Sequence, residues 1–244
     1  MYLEARNLLF LHIPKTGGES VASGISQEGW RGVKHSTWRE FRMSCPSIAR
    51  RKPLVACFVR NPWDQVVSFY SHLRKPLYLS KEAISPLPEY FADGHYLHPI
   101  EVSKSACSEE FPAWVRRWYP QRRRHPRLAR LERWPALLDW RRGDPRRGED
   151  GWYSHYREDA DKYLLPYLEW MRGADGRIHA DFIGRFEALG EDFRRLAARL
   201  GIEASLPHLN SSQRGDYREF YDDSTRRLIA DYYAEEIKQF NYEF

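Results

Sequence analysis

Cysteine is scarce in this sequence, and its thiols are far apart. Cys45, Cys57 and Cys107 are the only cysteines among 244 residues, and none belongs to a CxxC or His-rich spacing. A disulfide framework needs an even number of cysteines, and a structural zinc site needs clustered ligands. Neither is predicted, and the three thiols are expected to be reduced.

Long apolar runs are also missing. No segment approaches the ~18 apolar residues that a membrane-spanning helix needs. Aromatic residues, by contrast, make up 15% of the chain, which argues against disorder although 30% of the residues are charged. A soluble, cytoplasmic protein without a membrane span is expected. The length predicts a single domain, residues 1–244, with a large insertion.

Two apolar runs without alternation predict strands that are covered on both faces, as in a parallel α/β sheet. The first covers residues 8–13, and a helix with apolar residues at positions 21, 22 and 25 follows its glycine pair. The second covers residues 54–59, where Asn61 and Pro62 supply the N-cap and first position of a helix. The fold class predicted is α/β, with a central, mainly parallel sheet flanked by helices.

The remaining elements are predicted from shorter patterns. Residues 32–35 resemble a strand edge that ends at His35 and leads into a helix from Ser36 or Thr37, and residues 181–186 are strand-like. Apolar spacing predicts a helix closed by Gly201 and a single last helix that starts at Ser224 and includes Ile237. The middle, residues 75–175, is predicted to be a mostly helical insertion, with fragments at 111–118, 128–140 and 153–171.

The segment PKTGGES follows the first predicted strand and precedes a helix. A glycine-rich turn lets backbone N–H groups point inward, and the helix N-terminus adds positive potential, so the segment is suited to an anion. A nucleoside-triphosphate P-loop, GxxxxGK[ST], places its lysine after the glycines, whereas Lys15 precedes them here. No apolar run ending in Asp provides a magnesium ligand, and an ordinary NTPase is therefore not predicted.

PKTGGES resembles the 5′-phosphosulfate loop of sulfotransferases that use 3′-phosphoadenosine 5′-phosphosulfate (PAPS). FVRNPWDQVVSFYSH resembles that family's 3′-phosphate motif, with Arg60 at a strand end and Ser68 in the next helix. Residues 181–201 and 206–244 resemble the closing segments of carbohydrate-type sulfotransferases and their bacterial relatives. The resemblance implies a P-loop NTPase-like core. It does not cover residues 75–175, the region that commonly shapes the acceptor site in this family.

The resemblance implies a role for each matching residue. Lys15 would stabilise the leaving oxygen, and Arg60 and Ser68 would hold the 3′-phosphate, with Arg214 as a further candidate. The turn that would cradle the 5′-phosphosulfate comprises Lys15, Thr16, Gly17, Gly18, Glu19 and Ser20. PAPS would be the co-substrate, 3′-phosphoadenosine 5′-phosphate (PAP) the product, and no metal would be required.

A general base must take the proton of the acceptor hydroxyl. Uronyl 2-O-sulfotransferases carry a catalytic histidine in an H-x-[ST]-aromatic context, which His35 and the Ser-Thr-Trp after it resemble. A histidine's ordinary pKa, near ~6.5, suits this role. The alternatives are His72, Glu19 and His12, or a His35 that only caps a helix.

Two positions depart from the family pattern. Glu19 stands where relatives often have a hydroxyl residue, so its carboxylate must point away from the anion or be paired. Gln65 stands where many relatives carry a basic residue. The backbone donors of the loop and Arg60 are unaffected by either change.

An arginine-rich run lies between positions 116 and 147, with interleaved tryptophans. Such a run is usually a solvated surface, but it also suits an anionic glycan or a nucleic acid.

Together, the motifs predict sulfuryl transfer to a hydroxyl of a carbohydrate or glycosylated small molecule. The alternatives are a nucleotide or polynucleotide kinase and an arginine-rich nucleic-acid-binding protein. The oligomeric state is not predicted.

Overall fold

The computed structural model describes residues 1–32, 34–74, 102, 105–119, 164–207 and 215–244. These residues form two compact units. The sheet unit contains the described residues within 1–60 and 167–207, and the helical unit contains those within 61–119, 164–166 and 215–244. The prediction of a single domain stays a prediction.

Fourteen strands and α-helices have bounds within the described residues. In chain order they are β1 (Tyr2–Leu3), β2 (Leu8–Leu11), α1 (Gly18–Ile25), β3 (Trp30–Arg31), α2 (Trp38–Ser44), α3 (Pro46–Arg50), β4 (Leu54–Val59), α4 (Pro62–Leu73), α5 (Phe111–Trp118), α6 (Tyr167–Met171), β5 (Phe182–Arg185), α7 (Leu189–Leu200), α8 (Asp223–Tyr232) and α9 (Ala234–Phe240).

The five strands form one mixed sheet in the order β3-β1-β2-β4-β5. β2, β4 and β5 are parallel, with Leu11 opposite Cys57 and Val59 opposite Arg185. β1 pairs antiparallel with both β2 and β3. The predicted α/β class is confirmed; the parallel strands β2 and β4 lie in the two apolar runs, and β5 lies in the strand-like segment 181–186. The antiparallel flank makes the sheet mixed rather than mainly parallel.

The core of the sheet unit lies between the sheet and helices α1 and α7. Leu8, Phe10 and Phe58 from the strands pack with Val21 of α1 and Phe193 of α7, and all five side chains are buried. Burial of one such side chain stabilises the fold by roughly 1.5–3 kcal/mol. This packing fixes α1, and with it the loop before α1, on the sheet.

The helical unit is built around α4, whose N-cap was predicted correctly. The Asn61 side chain accepts hydrogen bonds from the backbone N–H groups of Trp63 and Asp64, and its amide donates to the carbonyl of Glu243 at 2.7 Å. The Tyr70 ring packs on Phe111 of α5, with ring centroids 5.2 Å apart. Among the described helices, none is long and apolar enough to cross a membrane.

Two local predictions were wrong. The short strand before α2 is Trp30–Arg31 rather than residues 32–35, so His35 lies in the turn between β3 and α2 and not at a strand end. Thr37 is the N-cap of α2, and the side chain of Glu40 completes a capping box with it. The last helix is two helices, because Tyr233 leaves the helical conformation (φ −105°, ψ 26°) between α8 and α9.

Candidate functional site

The carboxyl ends of three parallel strands deliver the candidate residues to one edge of the sheet. β2 leads into His12 and the loop 13–17, β4 leads into Arg60, and β5 leads into Phe186. Ligand sites of open α/β sheets lie outside the carboxyl ends of the strands. The loop and Arg60, which are distant in sequence, therefore meet at the edge where such a site is expected.

The loop after β2 has an unusual backbone. Lys15 and Gly17 both adopt positive φ, at 66° and 81°. A residue with a Cβ rarely adopts this conformation, so Lys15 is held there by its surroundings. The hydroxyl of Thr16 donates to the carbonyl of Ile13 at 2.8 Å and closes the turn. Gly17 then caps α1, whose first N–H groups lie at the end of the loop.

Arg60 is bound directly to this loop. Its Nη1 donates to the carbonyl of Lys15 at 3.0 Å, and its Cζ lies 3.8 Å from the centroid of the Phe186 ring. The Tyr167 hydroxyl donates to the Arg60 backbone carbonyl. Only 7% of Arg60 is exposed. A guanidinium so enclosed keeps a fixed orientation, which is what recognition of a phosphate by paired N–H groups requires.

His12 and His35 form a buried imidazole pair beside the loop. Their ring centroids are 4.6 Å apart, and Nδ1 of His35 lies 2.7 Å from the His12 carbonyl oxygen. A carbonyl only accepts, so Nδ1 of His35 carries the hydrogen, and the lone pair of the neutral ring is on Nε2. This is the tautomer that a base acting through Nε2 needs.

Gly18 makes room for the His12 ring. A Cβ at Gly18 would overlap Cδ2 and Nε2 of His12, so only glycine allows this ring to lie against the first turn of α1. The requirement at Gly18 is close approach. At Gly17 it is the positive φ. Glycine is therefore required at the two positions of the motif for different structural reasons.

The pKa of His12 is held well below its usual 6.5. Burial is the main cause; His35, when it is protonated, lowers the pKa further, and so do the positive charges of Lys34 and Lys15. Only 4% of the residue is exposed, and Nδ1 has no hydrogen-bond partner among the described residues. His12 is therefore neutral in the folded protein at neutral pH.

Replacing His12 by glutamine should flatten the pH dependence of stability. In the unfolded chain His12 binds a proton near pH 6.5, whereas the folded protein keeps it neutral. Stability is therefore complete above that pH and falls as the pH decreases, by at most about 1.4 kcal/mol per pH unit. Denaturant titrations between about pH 5 and 8 on both proteins measure the slope of the unfolding free energy. Identical slopes would contradict a neutral, buried His12.

Glu19 has a basic partner. Its carboxylate forms an ion pair with Lys34, and the Glu19 side chain is 51% exposed. This agrees with the expectation that the acid must point away or find a partner. The pair also places a second lysine near the loop, one that the sequence patterns did not identify.

The remaining predicted site residues lie on α1, on α4 or outside the described residues. Ser20 is buried in α1. Ser68 and His72 lie on α4 in the helical unit, where Gln65 is buried and its Oε1 accepts a hydrogen bond from the Tyr233 hydroxyl at 3.5 Å. Arg214 lies outside the described residues, as do most of the insertion and all but two arginines of the arginine-rich run. These two residues are Arg116, which pairs with Asp222, and Arg117, which pairs with Glu109.

Sequence reasoning missed Phe186, Tyr167 and Lys34. Phe186 had a detectable signal, because it is the last residue of the predicted strand 181–186, and the strand found there, β5, is parallel to β4. Residues after neighbouring parallel strands meet at one edge, but the order of the strands was not known from the sequence. Tyr167 and Lys34 gave no recognisable signal.

Known proteins add nothing to this assignment. No protein-family model matches the chain, and neither a curated protein nor a solved structure matches it.

Proposed function

We propose that the protein is a PAPS-dependent sulfotransferase that acts on a hydroxyl of a carbohydrate or glycosylated small molecule. The observation that carries the proposal is the hydrogen bond between Arg60 Nη1 and the Lys15 carbonyl, 3.0 Å long. It joins the two segments that separately resemble the 5′-phosphosulfate loop and the 3′-phosphate motif. A nucleotide with phosphate groups at both positions needs both segments at one edge of the sheet.

The donor would lie with its 5′-phosphosulfate over the loop. The N–H groups at the start of α1 supply donors there, and the Lys15 ammonium supplies charge. Arg60 would meet the 3′-phosphate. The contributions of Ser68 and Arg214 to binding that phosphate stay predictions from the sequence. The three parallel strands with a loop after β2 are compatible with the P-loop NTPase-like core that we propose.

The transfer would be an in-line displacement at sulfur. The acceptor oxygen forms a bond to sulfur while the bond from sulfur to the phosphate oxygen breaks, and the electron pair stays on the 5′-phosphate of PAP. Lys15 would stabilise the charge that develops on this oxygen. The acceptor proton would pass to Nε2 of His35, because Nδ1 of that ring already carries a hydrogen toward the His12 carbonyl.

The acceptor is proposed as a class. His12 is neutral, so its ring places no positive charge beside His35. A neighbouring positive charge would disfavour the protonated form of His35, and its absence therefore suits His35 as the group that takes the proton of a neutral hydroxyl. An anionic glycan is the acceptor that the arginine-rich run would favour.

PAP should stabilise the protein, and AMP should do so much less. A ligand that binds only the folded state adds RT ln(1 + [L]/Kd), which is about 1.4 kcal/mol at ten times Kd. AMP lacks the 3′-phosphate that Arg60 would bind, so at the same concentration its effect should be small. Thermal unfolding with each nucleotide measures the difference.

The same titration separates the rival functions. Equal shifts by PAP and AMP would contradict a 3′-phosphate site at Arg60. A shift by ATP with Mg²⁺ and none by PAP would favour the kinase. Salt-sensitive binding of RNA or DNA without a PAP shift would favour the nucleic-acid-binding protein.

A further inference from the structure

Phe186 contacts both halves of the candidate site. The Arg60 Cζ lies 3.8 Å from the Phe186 ring centroid, and a Cβ built on Gly17 would lie 3.1 Å from Phe186 Cδ2. One face of the ring thus carries the guanidinium, and one edge lies against the loop. Neither sequence motif includes this residue.

We propose that Phe186 is a positioning residue that determines the specificity for a 3′-phosphorylated nucleotide. The inference rests on the proposed function. Through its ring, the guanidinium of Arg60 would be held in the orientation that meets the 3′-phosphate. Because Arg60 also donates to the Lys15 carbonyl, the same ring would link recognition of that phosphate to the loop that holds the reacting group.

Stacking on an aromatic ring can fix the orientation of a guanidinium without occupying its N–H donors. A guanidinium over an aromatic face is attracted to the ring while its N–H groups point outward in their own plane. Those in-plane groups are the ones that grip a phosphate with two parallel hydrogen bonds. At Arg60 one of them is already directed to Lys15, which sets the rotation of the group within its plane.

The position of Phe186 is itself fixed by β5. Arg185, the last residue of β5, pairs in register with Val59, and its backbone N–H donates to the carboxylate of Asp192 at 2.7 Å. A 3-10 helix, Phe186–Ala188, then starts the connection to α7. The ring is therefore presented by a strand end that is tied to both β4 and α7.

The test measures PAP and AMP affinity by calorimetry for the wild type, Phe186→Leu and Phe186→Tyr. In Phe186→Leu the affinity for PAP should fall about tenfold while the affinity for AMP changes less than about twofold, because only the 3′-phosphate contact depends on the stack. Phe186→Tyr keeps the aromatic face, so this variant should prefer PAP over AMP as the wild type does. If Phe186→Leu does not fold, Phe186→Met gives the same comparison with a side chain of similar volume.

Phe182→Leu is the matched control. Phe182 is the first residue of β5, the strand that leads into Phe186; it is buried and has the Arg195 Cζ 5.8 Å from its ring centroid. It should lose stability without changing the ratio of the PAP and AMP affinities. Equal losses of both affinities in Phe186→Leu would overturn the inference and leave the ring as support for the loop only. A wild type that binds PAP and AMP equally would instead overturn the proposed function, and the inference with it.

Discussion

Replacing His35 by alanine should lower sulfate transfer by about 10²–10⁴-fold at saturating PAPS, the usual size of a general-base contribution. Nδ1 of His35 is directed to the His12 carbonyl, and the centroid of the His35 ring lies 4.6 Å from that of His12 and 6.3 Å from that of Trp170. The donor contacts proposed for Lys15 and Arg60 do not involve this ring. PAP affinity should therefore stay within about twofold of the wild type while turnover falls.

The measurement pairs calorimetry of PAP with transfer of labelled sulfate from PAPS to an acceptor found by screening carbohydrates. His72→Ala is the control and should change turnover by less than about tenfold, because a residue that is not the base makes no general-base contribution. A fully active His35→Ala enzyme would exclude His35 as the base and leave His72, Glu19 or His12. A variant that loses PAP binding and melts early would mean that His35 is structural.

Replacing Gly18 by alanine should lower the unfolding free energy by about 3 kcal/mol, near the upper end for overpacking. The added methyl group would overlap the His12 ring, which is enclosed by α1, His35 and the sheet. The effect needs no assumption about function. Denaturant titration of the unfolding free energy measures it.

The cause of the loss can be isolated by a double-mutant cycle. In His12→Ala the clashing ring is gone, so adding Gly18→Ala to that variant should cost much less than in the wild type. Gly190→Ala is the matched control, because Gly190 lies in α7 and, apart from its chain neighbours and the backbone of α7, no atom of the described residues lies within 4 Å of an added Cβ. It should raise stability by about 0.5–1 kcal/mol. A Gly18→Ala protein as stable as the wild type would refute the contact.

Several elements could be predicted from the sequence because their signals are local. Residues 54–59 form an unbroken apolar run, and the strand has these bounds. Asn61 and Pro62 mark the start of α4, and Gly201 ends α7 in a left-handed conformation (φ 64°). In each case the residues that set the boundary are adjacent to it.

Other features depend on residues that are distant in sequence. β1 and β3 have two residues each, too few to show any periodicity, and the antiparallel pairing of β1 with β2 and β3 makes the sheet mixed. The contact between Arg60 and Lys15 follows from β4 lying next to β2. The break at Tyr233 interrupts an apolar spacing that continues from Ile229 to Ile237. Local patterns carry none of this information.

The left-handed backbone of Lys15 bears on how strongly the loop can hold an anion. A loop that becomes ordered only when its ligand arrives gives up part of the interaction free energy to conformational entropy. Here the ordering accompanies folding, since the Thr16 hydroxyl and the Arg60 guanidinium hold the turn through hydrogen bonds to Ile13 and Lys15. The loop is pre-organised, so the free energy with which it would bind an anion is not reduced by the entropy of ordering the loop.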